Sequence, residues 1–82
     1  MKITSPDQLA IFLKDARKQG KQTQESVAEK VGLRQDTVSK FENNPAKTQI
    51  DTLFKILSSM NMELHIEAKS SQGSSEVWKE EW

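Results

Sequence analysis

The stretch Thr23 to Glu42, TQESVAEKVGLRQDTVSKFE, constrains this chain most, because it holds two helical segments too short to stand alone. Isolated helices below about 12–15 residues are marginal in water, so two such pieces must brace each other against longer elements. Thr23 can cap the first, and Val27, Ala28 and Val31 keep helical spacing until Gly32 ends it. Leu33 and Arg34 then bridge to a second segment from about Gln35 to Glu42, stopped by Asn43, Asn44 and Pro45. Small Ala28 permits close approach, and a tight Gly32-Leu33 turn sets the two at a steep angle. Val27, Val31, Leu33, Val38 and Phe41 form the inner seam, which leaves Arg34, Gln35, Asp36, Thr37, Ser39 and Lys40 for the outer side.

The flanks supply the longer elements. Ser5, Pro6 and Gln8 stand at N-cap, N1 and N3 of a helix expected from Pro6 to Gln19. Its apolar face is Leu9, Phe12, Leu13 and Ala16, and Gly20 is the expected left-handed stop. Thr48 is expected to cap a fourth helix whose stripe of Ile50, Leu53, Phe54, Leu57 and Met60 closes the core over the first and third, with Asn61 left-handed at its end. From Met62 to Ala68 the period changes to two: Met62, Leu64 and Ile66 alternate with Glu63, His65 and Glu67, the pattern of a half-buried strand.

A lone strand needs a hydrogen-bonding neighbour, and no other stretch offers a convincing one. A second copy pairing antiparallel across a two-fold axis would supply it and bury Met62, Leu64 and Ile66, making them dimerisation residues. The competing readings are an intrachain pair with Lys2 to Thr4, or an extended tail. From Lys69 the chain is polar and serine-rich with no apolar period, the composition of a disordered segment. Trp78 and Trp82, four apart within it, would share one face of a short helix and could anchor it in a partner's groove, or be incidental. The expected organisation is therefore an all-α domain of four to five helices at 1–61, a dimerisation strand at 62–68 and an acidic tail at 69–82.

At 82 residues, with a formal net charge of zero, the chain looks a poor candidate for a polyanionic partner until it is divided at Met60. The part up to Met60 carries ten Lys and Arg against seven acids, plus three; the remainder carries two against five, minus three. A basic folded part suits phosphates, and an acidic tail suits a different partner. Without cysteine there is no disulfide, thiolate metal site or Cys nucleophile, which fits a reducing cytoplasm. No run is apolar enough for a membrane span, and the N-terminus lacks a signal pattern. Nothing suggests an enzyme, a metal or a cofactor: His65 is the sole histidine and lacks clustered carboxylates at ligand spacing, and Glu80 and Glu81 have no pocket to shift them.

The stretch beginning at Thr23 resembles the helix-turn-helix of the lambdoid phage repressor and Xre-like family, in Thr23, Gln24, Ala28, Gly32, Ser39, Glu42 and Asn43, and the resemblance extends from about Pro6 to Met60. It implies that Gln24 holds a phosphate and can brace Gln35, and that Gln35 at the head of the third helix reads bases. A Gln amide can pair bidentately with adenine, and Arg34 can reach guanine or a phosphate. Thr37 and Lys40 lie on the same face and extend the contact, while Asn43, Asn44 and Lys47 are expected on the backbone. Asp36 departs from this logic unless it accepts from a cytosine amine or pairs with Lys40. Arg17 and Glu42 occupy positions that form an internal ion pair in the family.

The C-terminal half, FENNPAKTQIDTLFKILSSMNMEL followed by an alternating strand and a tail ending Glu81-Trp82, is similar to HipB-type antitoxins of type II toxin-antitoxin systems. That similarity implies a cytoplasmic, nucleoid-associated homodimer with an intersubunit β-lid, which represses its own operon at an inverted-repeat operator and neutralises a HipA-like serine/threonine kinase toxin. A stand-alone phage-type repressor and a protein-binding adaptor on a degenerate scaffold are the alternatives.

Overall fold

The computed structural model describes residues 2–69, so Trp78, Trp82 and most of the acidic tail lie outside the described residues. Four helices follow in order: α1 (Pro6–Gln19), α2 (Gln24–Lys30), α3 (Gln35–Asn43) and α4 (Ile50–Ser59), with a single 3-10 turn at Pro45–Lys47 between the last two. Ser5 caps α1 by accepting from the Gln8 amide at 3.2 Å, and Pro6 occupies the first turn, where its missing N–H costs nothing. The Gln8 side chain reaches back to the Thr4 N–H at 2.7 Å, one residue earlier than the expected box. Thr23 caps α2 by accepting from the Ser26 amide at 3.0 Å.

Three helices end in the same way. In each, the residue after the C-cap is left-handed and the next N–H reaches back to a carbonyl five residues earlier: Gln22 to Arg17, Leu33 to Ala28 and Met62 to Leu57, at 2.9–3.0 Å. The left-handed residues are Lys21, Gly32 and Asn61. Asn61 takes the conformation expected of it. Gly20 does not: at φ −80° it is the C-cap itself, and Lys21 turns the chain at φ 57°. At Gly32, φ is 71° and an added Cβ would meet nothing within 4 Å, so it is backbone conformation and not space that favours glycine there.

The core is Ala10, Leu13, Val27, Ala28, Val38, Phe41, Ile56 and Leu57. α2 packs most extensively on α3, across Ala28, and α1 packs on α3. α4 departs from expectation. Thr48 does not cap it; Gln49 is the N-cap, with no side-chain cap bond. Ile56 and Leu57 face inward, Leu53 and Met60 are half-buried, and Ile50 and Phe54 stay exposed at 72% and 49%. The helix leans on α2, where the Ser59 hydroxyl donates to the Val27 carbonyl at 2.6 Å, rather than spanning α1 and α3 with its whole apolar stripe.

Residues 62–69 carry no regular secondary structure, and the described chain contains no strand. Among the described residues no backbone hydrogen bond involves positions 63–69, and the N-terminal segment from Lys2 to Thr4 does not pair with them. Met62 and Leu64 instead border an apolar cleft with Ile3, Leu9, Phe12, Ile50 and Leu53, and Ile66 is 88% exposed.

Candidate nucleic-acid interface

A chain of polar contacts runs from the interior to the outer face of α3. Arg17, on the buried side of α1, donates from Nε to Glu42 Oε2 at 2.7 Å and from Nη2 to Oε1 at 3.1 Å. Its Nη1 donates to the Gln22 carbonyl at 2.9 Å, so all three guanidinium nitrogens are engaged. The two side chains are only 10% and 4% exposed. Burial pushes the Glu42 carboxyl upward, but the hydrogen bonds from Arg17 and Gln24, with the charges of Arg17 and Lys14, outweigh it and hold the pKa below its ordinary value.

Gln24, the first residue of α2, joins this pair to the surface. Its Nε2 donates to Glu42 Oε1 at 2.9 Å, and its Oε1 accepts from Gln35 Nε2 at 2.5 Å. Glu42 can only accept, so it dictates which end of the Gln24 amide is which, and Gln24 in turn dictates the orientation of Gln35. An amide nitrogen has two N–H donors and each here spends one. Gln24 keeps one N–H beside the N-terminus of α2, and Gln35 keeps one N–H together with its carbonyl oxygen. That donor and acceptor pair complements adenine N7 and N6.

Arg34, the N-cap of α3, and Asp36 are both exposed, with Arg34 Nε 3.6 Å from Asp36 Oδ1. Asp36 therefore lies beside Arg34 and not, as the spacing suggested, against Lys40. Thr37, Lys40, Asn44 and Lys47 share one shallow groove with Thr48, Gln49 and Thr52. Asn43 is turned to Ser39, donating to its hydroxyl at 3.3 Å. Eight of the ten expected residues thus fall into two groups, Gln24, Arg34, Gln35 and Asp36 at the head of α3 and Thr37, Lys40, Asn44 and Lys47 in the groove, while Ser39 and Asn43 pair with each other outside both. Met62 and Leu64 line the separate apolar cleft.

Thr48, Gln49 and Thr52 were not anticipated in this groove. They stand at the start of α4, which has no side-chain cap bond, beside Lys40 and Lys47 in the same groove. The whole arrangement is chemically suited to a polyanion whose backbone meets Gln24, Lys40, Lys47 and the α4 N-terminus while Gln35 and Arg34 face base edges.

A short helix braced behind a second one that presents Arg34 and Gln35 outward defines a helix-turn-helix domain, and the helix-turn-helix family matches residues 13–65. The antitoxin HipB of Escherichia coli strain K12 is 45% identical over 83 residues, covering 99% of this chain and 94% of that one. Two solved structures, a HipA-HipB-O2-O3 complex and a HipB-O4 20mer complex, each superpose with a TM-score of 0.82 at 42% identity over 87% of this chain and 99% of theirs. The chain belongs to the HipB antitoxin family within the helix-turn-helix proteins.

Proposed function

We propose that the protein is a DNA-binding antitoxin: a homodimeric autorepressor that occupies an inverted-repeat operator and neutralises a HipA-like serine/threonine kinase toxin. The observation that carries the DNA half is the Glu42–Gln24–Gln35 relay, which leaves a fixed donor and acceptor pair on the exposed head of α3. The toxin half rests on the similarity to HipB, including a HipB solved together with HipA and DNA. Among the described residues no helix is long and apolar enough to cross a membrane. Its place of action is the cytoplasm, at the nucleoid where its operator lies.

In this reading Gln35 and Arg34 read base edges, Thr37 extends the readout, and Gln24, Ser39, Lys40, Asn43, Asn44 and Lys47 set register on phosphates. Asp36 holds Arg34 until a base or phosphate competes for the guanidinium. Residues 62–68 pair across a two-fold axis, which satisfies the backbone groups of 63–68 that find no backbone partner among the described residues and covers Leu64, Ile66 and Ile50. Two copies of α3 then stand about 34 Å apart, one turn of duplex. The segment from 69 onward, with Trp78 and Trp82, is the part available to the toxin.

Native co-purification with mass spectrometry, followed by anisotropy titration against the upstream DNA of the chain's own operon, tests the whole reading. A kinase-sized companion and a two-fold operator footprint are expected. A lone homodimer that binds the operator favours the stand-alone repressor, and salt-insensitive or absent DNA binding refutes the DNA half.

A further inference from the structure

The helical phase of α3 puts one residue in a position that the Gln24–Gln35 relay does not account for. Val38 and Phe41 are buried and Glu42 turns its carboxylate inward, which fixes the inner side of the helix. At about 100° per residue, the line opposite them runs through Asp36, Lys40 and Asn43, all three exposed. Gln35 lies to one side of this ridge, held toward α2 by Gln24. Lys40 borders the groove with Thr37 and Lys47, and Asn43 donates to Ser39. Of the three, only Asp36 stands in the first turn, the part of a recognition helix that meets base edges.

A carboxylate at the crest of a helix that approaches phosphates costs affinity unless a donor meets it, because its oxygens only accept. Among the groups that base pairs show in the major groove, cytosine N4 and adenine N6 donate, and adenine sets its N7 acceptor beside N6. Cytosine is therefore the base that offers the carboxylate a donor with no acceptor of its own alongside. Its partner guanine shows two acceptors, N7 and O6, which a guanidinium matches. Arg34 Nε stands 3.6 Å from Asp36 Oδ1, with 86% and 54% of the two side chains exposed. A donor head group and an acceptor head group thus lie side by side, the complement of one G·C pair, which shows acceptors beside a donor.

We propose that Arg34 and Asp36 read a single G·C pair together, Arg34 donating to guanine and Asp36 accepting from the cytosine N4 amine, beside the A·T pair that Gln35 reads. The proposal rests on the DNA-binding reading above and deepens it by naming a base pair and the residue that selects it. Asp36 discriminates by repulsion as well as attraction, since thymine or guanine in place of the cytosine sets an acceptor against the carboxylate. The same charge repels phosphates of any sequence, and beside Arg34 it offsets a cation that would otherwise draw the domain to random DNA. Asp36 thus lowers general affinity and sharpens choice.

The test is selection from a randomised duplex library by the full parent chain, by Arg34→Ala and by Asp36→Asn in parallel, with each bound pool sequenced. Both side chains are exposed and Arg34 makes no side-chain cap bond, so both variants should keep the fold. The parent should enrich a half-site with a fixed G·C pair beside a fixed A·T pair. Arg34→Ala should lose its preference at that G·C pair. Asp36→Asn should shift its choice at the same pair, from cytosine to adenine, because a carboxamide pairs bidentately with adenine. Replacing that cytosine by thymine, with its partner, should weaken the parent by about tenfold and Asp36→Asn far less. Asp36→Asn should also bind a random duplex more tightly than the parent does. Effects of the two variants at different base pairs, a motif that Asp36→Asn leaves unchanged, or loss of all binding by Asp36→Asn would overturn the shared readout while the parent's own motif upholds DNA binding. A parent that enriches no motif refutes the DNA-binding reading, and this readout with it.

Discussion

The Gln35 amide donates to the Gln24 amide oxygen across the turn between α2 and α3, at 2.5 Å. In the proposed function this contact would make base reading depend on a residue of the preceding helix, because Gln24 is itself fixed by Glu42 and Glu42 by Arg17. The outward face of α3 is thus oriented from the buried side of α1, three side chains away.

Gln24→Ala and Gln35→Ala should therefore not act independently on operator affinity. Contacting residues in one network couple by about 0.5–3 kcal/mol, so the double variant should lose less than the two single losses combined. A double-mutant cycle by fluorescence anisotropy measures this directly, and strict additivity would show that Gln24 does not position Gln35.

Glu42→Ala strands the Arg17 guanidinium in a site only 10% exposed. Breaking a buried ion pair from one side costs about 3–5 kcal/mol, a large part of the stability of a domain this small. Urea unfolding should show that loss. The apolar double variant Arg17→Met/Glu42→Leu should recover most of it, since no charge is then left unpaired.

The depressed Glu42 pKa also sets an acid limit. A carboxyl held below its unfolded value stabilises the fold fully above about pH 4.3, the ordinary glutamate pKa, and its contribution is lost as pH falls through the lowered folded value. Relative to Glu42→Gln, the parent protein should have its largest advantage in melting temperature near neutrality and lose that advantage on acidification below about pH 4.3. Melting curves across this range check the sign, and a gap that widens toward acid would contradict it.

Lys47 is exposed at the end of the 3-10 turn, and the proposed function assigns it to the phosphate backbone alone. Lys47→Ala should weaken cognate and random DNA alike and reduce the slope of log affinity against log salt by about one. Titrations at several salt concentrations read both quantities, and a selective loss on the cognate operator would move Lys47 among the base-reading residues.

Much of this was written in local sequence signals. Ser5 and Thr23 announced their helices because a short hydroxyl before an apolar period has one good use. Gly32 marked the turn through the φ it alone adopts cheaply, and the resemblance supplied both the Arg17–Glu42 pair and the bracing of Gln35 by Gln24. What local pattern could not supply was the partner of each surface. The apolar stripe of α4 read as one face, yet Ile50 and Phe54 are exposed while Ile56 is buried, because periodicity ranks residues by polarity and cannot say which neighbour is present. Gly20 and Lys21 exchanged roles for a related reason. The C-terminal hydrogen bonds of α1 fix where the left-handed residue falls, and they fall on a lysine. Period two at Met62–Ala68 is likewise a pattern that a single chain leaves without a ladder.

The central claim is that Gln35, oriented by Gln24, distinguishes the operator from other DNA. The most direct measurement is the affinity of Gln35→Ala for operator and for random duplex in parallel competition at one salt concentration. The expected result is a loss of about 1–3 kcal/mol on the operator with random binding nearly unchanged. An equal loss on both, or none on either, would contradict the account.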